Sequence, residues 1–198
     1  MLPRYSRPAM RAIWSDEGRL ARWLEVELAA LAASAAVGLV PRRAAEEIRS
    51  RAIVPTPRRV AELEERTQHD LAAFVDAVAG DLGPEGRWLH YGLTSSDVLD
   101  TALALQVHDA GRLLLEGLDR ALAAVVRRAA EHRETVVVGR THGIPAEPTT
   151  FGAKLAGWAF ELERDRERLE RALEGVRVGK IAGAVGTYGG GDPDVERV

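Results

Sequence analysis

Apolar residues recur with helical spacing over most of the chain. From Asp16 to Gly38, leucine and tryptophan positions follow the i, i+3, i+4, i+7 pattern of an amphipathic helix, and Asp16 is a suitable N-cap. A short helix should follow and end near Arg51. Another should start with Thr56 as its cap and Pro57 in its first turn. The stretch "HDLAAFVDAV" then predicts a further helical segment, continuous with the one before it or separate.

The longest apolar stripe follows "GLTSS". Ser95 or Ser96 should cap a helix that runs to about Glu134. Roughly 38 residues of helix are about 57 Å long, whereas a compact globule of this chain length has a radius of gyration of about 16 Å. The helix should therefore extend beyond its own domain. A second long helix is predicted from Thr150 to Gly175, with apolar residues seven apart, and such a pair indicates a bundle completed by other subunits.

Other segments lack a clear helical or strand period. "DLGPEGRWLHYGLTSS" predicts an ordered loop, because glycine and proline alternate there with tryptophan and tyrosine. "GRTHGIPAEPTTFG" predicts a rigid loop between the two long helices, stiffened by Pro145 and Pro148. "VVVG" is the only convincing β-like run, and "GVRVGKIAGAVGTYGGG" holds too much glycine for a helix interior. The predicted fold class is mainly α.

Composition narrows the class of protein further. The 198 residues are 46% hydrophobic and 29% charged, which suits globular domains with a real core. A net charge of −3 provides no global field for nucleic acid or an anionic membrane. The chain has no cysteine and no HExxH pattern, so neither a disulfide framework nor a metal site is expected. "MLPRYSRPAM" lacks the apolar core of a signal peptide, and we expect a soluble cytoplasmic protein.

Two histidines stand in polar surroundings that suit acid–base chemistry. His142 lies between Thr141 and Gly143 in the proline-stiffened segment, which fits a general acid or base; the alternative is an exposed turn. His69 adjoins Asp70, which could fix its tautomer, although adjacent residues on a helix do not face each other. The alternative for His69 is a polar cluster at a helix end.

Two further clusters could bind anions. His90 precedes three hydroxyls, Thr94, Ser95 and Ser96, at a predicted helix N-terminus, which is a ready anion site. Simple N-capping explains one of these hydroxyls but not all three. "PRYSRP" at the N-terminus groups arginines with hydroxyls that could hold a phosphate, unless this end of the chain is frayed.

Five segments taken together resemble the adenylosuccinate lyase family of the fumarase/aspartase superfamily: "RYSRPAM", "TQHDLAAFVDAV", "LHYGLTSSDVLDTALALQ", "GRTHGIPAEPTTFGAKLAGWAFEL" and "KIAGAVGTY". The resemblance runs from Arg4 to Tyr188. It implies an N-terminal helical domain over residues 1–93 and, over residues 94–198, the incomplete first part of a central bundle of long helices.

The resemblance also implies an activity. Members of the family eliminate fumarate from adenylosuccinate to leave AMP, and from the succinyl-carboxamide ribotide, without a metal or organic cofactor. Their substrate is a small nucleotide, and each active site draws on three subunits of a homotetramer. The implied function is a C–N lyase of purine biosynthesis.

Site residues follow from matching positions. Arg4 and Tyr5 resemble the contacts to the nucleotide phosphate. Thr94 and Ser95 match the residues that hold the succinyl carboxylate, and His142 matches the proton-transfer histidine, with His69 placed to assist it. The matched substrate-binding positions, with the adjoining hydroxyl of Ser96, are Arg4, Tyr5, Gln68, His69, Asp70, Thr94, Ser95 and Ser96.

One family feature is missing from these residues. The serine- and methionine-rich loop that supplies the catalytic base has no counterpart here, so we expect the 198-residue chain to be inactive or nearly so by itself. Two alternatives stay open: another lyase of the superfamily, or a helical oligomerisation module without catalysis.

Overall fold

The computed structural model describes residues 2–198, apart from the side chain of Pro3. Most of these residues are helical, as predicted. None of the described helices is long and apolar enough to cross a membrane. The elements in chain order are α1 (Pro8–Ile13), α2 (Asp16–Ala36), α3 (Arg42–Arg51), α4 (Pro57–Thr67), α5 (Asp70–Gly80), α6 (Ser95–Glu131), β1 (Val136–Thr141), β2 (Ile144–Thr150), α7 (Phe151–Gly175) and α8 (Pro193–Arg197), with 3-10 turns at Pro3–Tyr5 and Gly83–Trp88.

The chain forms two compact units. Unit 1 holds residues 1–109 and 177–198, and unit 2 holds residues 110–176. Helix α6 begins in the first unit and ends in the second. The division into an N-terminal helical domain over residues 1–93 and the first part of a bundle over residues 94–198 stays a prediction.

The helix boundaries of unit 1 follow local capping chemistry. The Ser15 hydroxyl accepts a hydrogen bond from the Gly18 amide, so Ser15, and not Asp16 as predicted, caps α2. Thr56 caps α4 as predicted. The chain then breaks between α4 and α5, because Gln68 adopts the left-handed conformation with φ 52°.

The core of unit 1 lies among α2 to α5 and the first turns of α6. Its largest fully buried apolar side chains are Leu20, Ile48, Leu71, Phe74, Leu82 and Val98. Phe74 meets Trp23 edge to face, with ring centroids 5.4 Å apart. This contact joins α5 to α2 within the core.

The predicted loop before α6 is ordered and contains the 3-10 turn. Gly92 in this loop has φ 76°, and a Cβ there would lie 2.6 Å from the carbonyl oxygen of Gly190. The glycine run near the C-terminus therefore packs against the loop at a distance that only glycine allows. The same terminal region holds α8, which the sequence patterns did not predict.

Unit 2 is an antiparallel helix pair joined by a β-hairpin. Arg166 of α7 donates to Asp119 of α6 at 2.7 Å. At the hairpin end, a Cβ on Gly152 would lie 2.5 Å from the Ala129 carbonyl oxygen, so the two backbones approach closely. Helix α7 has nearly the predicted bounds, and Thr150, expected as its first residue, is its N-cap.

The segment predicted as a rigid loop is mostly strand. β1 and β2 pair antiparallel, with Thr141 opposite Ile144 and a register shift between Val138 and Arg140. Proline normally argues against a strand because it cannot donate to the ladder, and the two prolines hid β2 in the sequence. A two-stranded sheet tolerates them because every strand in it is an edge.

We expect Phe74→Ala to lower the free energy of unfolding by about 3–5 kcal/mol, because the change leaves a cavity beside Trp23 in a fully buried site. Urea unfolding followed by circular dichroism measures this. Phe74→Leu is the matched control and should cost less than about 1.5 kcal/mol, since it keeps most of the volume. Equal losses for the two variants would show that the site relaxes around the missing ring.

Candidate active site

His69 and Ser95 meet although 26 residues separate them in sequence. The His69 Nε2 atom lies 3.1 Å from the Ser95 hydroxyl oxygen. His69 is the N-cap of α5, and its Nδ1 atom accepts from the Ala72 amide at 3.4 Å. In the tautomer in which Nδ1 accepts this bond, Nε2 carries the proton and donates to Ser95. A predicted catalytic histidine thus lies within hydrogen-bond distance of a predicted carboxylate-binding hydroxyl.

The neighbours of His69 are partly engaged in local hydrogen bonds. The Gln68 side-chain amide donates to the Glu65 carbonyl oxygen at 2.9 Å. An Asp70 carboxylate oxygen accepts from the Leu71 amide and lies 3.4 Å from His69 Nδ1. The expectation that His69 and Asp70 would not face each other is therefore wrong, because His69 precedes the helix and has extended backbone angles.

The prediction that Ser95 or Ser96 caps α6 is wrong, because the helix already begins at Ser95 and the Asp97 side chain accepts the preceding backbone amide. Asp97 Oδ2 accepts from the Thr94 amide at 3.0 Å, and the Asp97 amide donates to the Thr94 carbonyl oxygen at 3.0 Å. Helix α6 itself begins at Ser95. The hydroxyls of Ser95 and Ser96 therefore stand in the first helical turn, where backbone amides favour an anion.

Asp97 is fully buried and collects donors from a distant segment. Lys180 forms an ion pair with its carboxylate, and the amides of Ala182 and Gly183 donate to Oδ1 at 3.2 Å. Burial alone would raise the pKa of Asp97. The hydrogen bond from Lys180, with backbone hydrogen bonds from Thr94 and Ala182, outweighs burial and holds this pKa below its ordinary value.

His90 is held by a carboxylate that the sequence patterns did not reveal. Glu27 lies on α2 with a side chain that is 0% exposed. It accepts from the His90 amide at 3.0 Å and lies 2.6 Å from His90 Nδ1. The two carboxylate oxygens thus engage the backbone amide and Nδ1 of the same residue, and Nε2 is the ring nitrogen without this partner. This pair holds His90 at the unusual φ of 61°.

Arg4 and Tyr5 form a small cluster of their own. Both are exposed, and the Arg4 guanidinium lies 4.8 Å from the centroid of the Tyr5 ring. In such a contact the cation lies over the face of the aromatic ring. The described contacts link these two residues to each other and not to His69 or Ser95.

His142 belongs to unit 2, where it stands at the tip of the hairpin. His142 and Gly143 are the two residues between β1 and β2, with φ 51° and 76°. Positive φ at both positions is typical of a type I′ turn, in which glycine favours the second position. The His142 side chain is exposed. The hairpin therefore presents the imidazole at a fixed point of a short, regular scaffold.

The arrangement in unit 1 can bind and orient a carboxylate. It offers two adjacent hydroxyls, a helix N-terminus and an imidazole. Among residues 2–198, no group of three or more His, Asp or Glu residues is placed to hold a metal ion. Sequence reasoning missed Glu27, Asp97 and Lys180 as parts of this arrangement, because their partners are remote in the chain.

Comparison with known proteins assigns the chain to a family. A protein-family model described as "Lyase" matches residues 4–198. The chain belongs to this lyase family. The match extends over both units of the lyase chain.

The chain is similar to individual relatives along its whole length. It is 49% identical to adenylosuccinate lyase of Bacillus subtilis over 197 residues, covering 100% of this chain and 46% of the relative. It is 50% identical to adenylosuccinate lyase of Synechocystis sp., again covering 100% of this chain and 46% of the relative. The chain thus spans about half the length of the curated relatives it matches.

Solved structures of related enzymes share the fold. Fumarate lyase from Mesorhizobium sp. BNC1 superposes with a TM-score of 0.90 at 33% identity, covering 95% of this chain and 46% of that one. The 3-carboxy-cis,cis-muconate lactonizing enzyme from Pseudomonas putida gives 0.87 at 33% identity, covering 94% and 44%. The likeness confirms the predicted fold class, a mainly helical chain of the fumarase/aspartase type.

We expect the stability of the lyase chain to fall in acid partly through Asp97. Its folded pKa lies below the ordinary value of 3.8, so the native state binds this proton less readily than the unfolded state. The stabilisation is present above about pH 4 and is lost as pH falls through the folded pKa. Urea unfolding across this range should show a shallower acid slope for Asp97→Asn than for the parent.

The exposed Asp100, three residues further along α6, provides a matched control. Asp100→Asn should keep the acid slope of the parent chain. The same slope in the Asp97→Asn variant would contradict the assignment of this acid sensitivity to the buried carboxylate.

Proposed function

We propose that this chain forms part of an adenylosuccinate lyase, a C–N lyase of purine biosynthesis. The enzyme eliminates fumarate from adenylosuccinate to leave AMP, and from the succinyl-carboxamide ribotide. The similarity to adenylosuccinate lyases along the whole chain carries the proposal. The contact between His69 and Ser95 supports it, because it joins two segments that were matched independently.

The proposed reaction breaks a C–H bond and a C–N bond. A base removes a proton from the carbon next to a carboxylate, the electron pair forms the double bond of fumarate, and the purine nitrogen leaves with a proton from an acid. The dianionic intermediate requires hydrogen-bond donors at the carboxylate. Thr94, Ser95 and Ser96 are proposed to supply these donors.

Histidines take the proton-transfer roles in this proposal. His142 protonates the leaving nitrogen, and His69 assists. The position of His142 at the tip of a tight hairpin suits the proposed acid role, because misplacement by about 1 Å can cost on the order of 100-fold in rate. Gln68 and Asp70 contact substrate beside His69, and Arg4 and Tyr5 bind the nucleotide phosphate.

The complete enzyme is proposed to be a cytoplasmic homotetramer with shared active sites. The base comes from a loop that these residues do not contain. Exposed apolar side chains on both long helices, such as Leu114 and Phe160, support packing against further helices. Residues 1–93 form the N-terminal domain, and residues 94–198 form the first part of the bundle.

We expect His142→Asn in the full-length enzyme to lower turnover of adenylosuccinate by roughly 100- to 10,000-fold, the usual range for the loss of a general acid. Asparagine followed by glycine is a favoured type I′ turn, so the hairpin should persist. Fumarate release measures turnover, and gel filtration reports assembly.

His142→Val is the contrasting variant, because a β-branched residue at φ 51° should distort the turn as well as remove the acid. It should reduce both turnover and stability. Normal turnover of the asparagine variant would remove His142 from the acid role.

We further expect the isolated 198-residue chain to release no fumarate from adenylosuccinate at a rate typical of enzymes, since the catalytic base lies outside it. A coupled assay of the purified chain beside the full-length enzyme tests this. Turnover by the isolated chain comparable with that of the full-length enzyme would place the base within these residues.

A further inference from the structure

Lys180 directs all three ammonium protons into the protein. Its Nζ atom donates to the Ser96 hydroxyl oxygen at 3.1 Å, to Asp97 Oδ1, and to the Gly183 carbonyl oxygen at 3.1 Å. The backbone beside it is also fixed, because the Lys180 amide donates to the Thr101 hydroxyl oxygen at 3.0 Å. With three protons and three acceptors, the ammonium has none left for a ligand. Lys180 therefore acts on other residues and not on substrate.

The contact with Ser96 fixes the role of that hydroxyl. An ammonium can only donate, so the Ser96 oxygen is the acceptor in this bond. The hydroxyl proton must then point away from Lys180, and the adjacent positive charge strengthens it as a donor. Ser96 is half-buried, so its proton can reach a ligand at the start of α6.

The Ser95 hydroxyl oxygen also contacts a donor on the protein, which is His69. In the tautomer whose Nδ1 accepts from the Ala72 amide, His69 Nε2 donates to the Ser95 oxygen at 3.1 Å. Two neighbouring hydroxyls thus each accept from a donor on the protein side, which leaves both hydroxyl protons for the ligand side. A carboxylate, which only accepts, is the ligand that suits two such donors at a helix N-terminus.

We propose that Lys180 is a positioning residue that holds Ser96 as a hydrogen-bond donor to the succinyl carboxylate of the substrate. The inference rests on the proposed lyase function. It assigns to Lys180 neither direct substrate contact nor base chemistry. Only two of the 27 basic residues in the chain are lysines, and Lys154 is the other.

The experiment compares Lys180→Met with the parent in the full-length enzyme. We expect the variant to raise the KM for adenylosuccinate and the inhibition constant for succinate together, by roughly 10- to 100-fold, the range for a hydrogen bond to a charged group. The inhibition constant for AMP should change less than about twofold by the same reasoning, because AMP lacks the succinyl carboxylates. A general loss of structure would weaken the binding of succinate and of AMP alike.

Lys154→Met is the matched control. Lys154 is exposed on α7, with its ammonium 5.5 Å from the centroid of the Trp158 ring. The control makes the same chemical change away from α6 and should leave both inhibition constants unchanged. Unchanged constants for succinate in the Lys180→Met variant would overturn the inference.

A double-mutant cycle with Ser96→Ala tests whether Lys180 acts through this hydroxyl. If it does, the double variant binds succinate no more weakly than the worse single variant. A rise in the inhibition constant equal to the product of the two single rises would overturn the inference. Ser96→Ala leaves the pair of Lys180 and Asp97 in place, so it decides the matter if Lys180→Met fails to fold. An unchanged inhibition constant for succinate in Ser96→Ala would contradict the inference.

The outcomes also separate this inference from the proposed function. A parent enzyme that does not convert adenylosuccinate would contradict the function itself. An active parent, with normal succinate binding in the variants, would contradict only the role of Lys180.

Discussion

The first turn of α6 depends on the buried carboxylate of Asp97. An ionised carboxylate out of contact with water is costly unless donors surround it. Asp97 meets this requirement with amides of Thr94, Ala182 and Gly183 and with the ammonium of Lys180. The donors come from two places that are more than 80 residues apart in the chain. One carboxylate therefore joins the start of a long helix to the segment at 180–183.

This junction also sets the direction of the surface hydroxyls. Each of Ser95 and Ser96 accepts from a donor behind it, His69 in one case and Lys180 in the other. A serine hydroxyl has one proton, and these contacts leave that proton on the ligand side. In the proposed carboxylate site, both hydroxyl donors would be oriented before any ligand arrives, as electrostatic preorganisation requires.

Local chemistry was readable from the sequence, and remote pairing was not. The cap Thr56 and the two long helices followed from a hydroxyl, proline and apolar spacing. β2 was missed because its two prolines are atypical of strands, although "HG" satisfies a type I′ turn. Glu27 with His90 and Lys180 with Asp97 leave no local signal, since their members are 63 and 83 residues apart. Family resemblance supplied the candidate residues, but only the folded chain reveals what supports them.

Unit 2 holds His142 without the enclosed surroundings that the proposed acid role needs. The His142 imidazole is exposed on a regular turn, whereas a general acid works best where water is excluded and neighbours tune its pKa. Leu114 and Phe160 are more than half exposed on the two long helices of the same unit. Further packed chain would bury these apolar helix faces and would also enclose the imidazole. Under the proposed function, assembly of the bundle would therefore complete the surroundings that His142 needs as an acid.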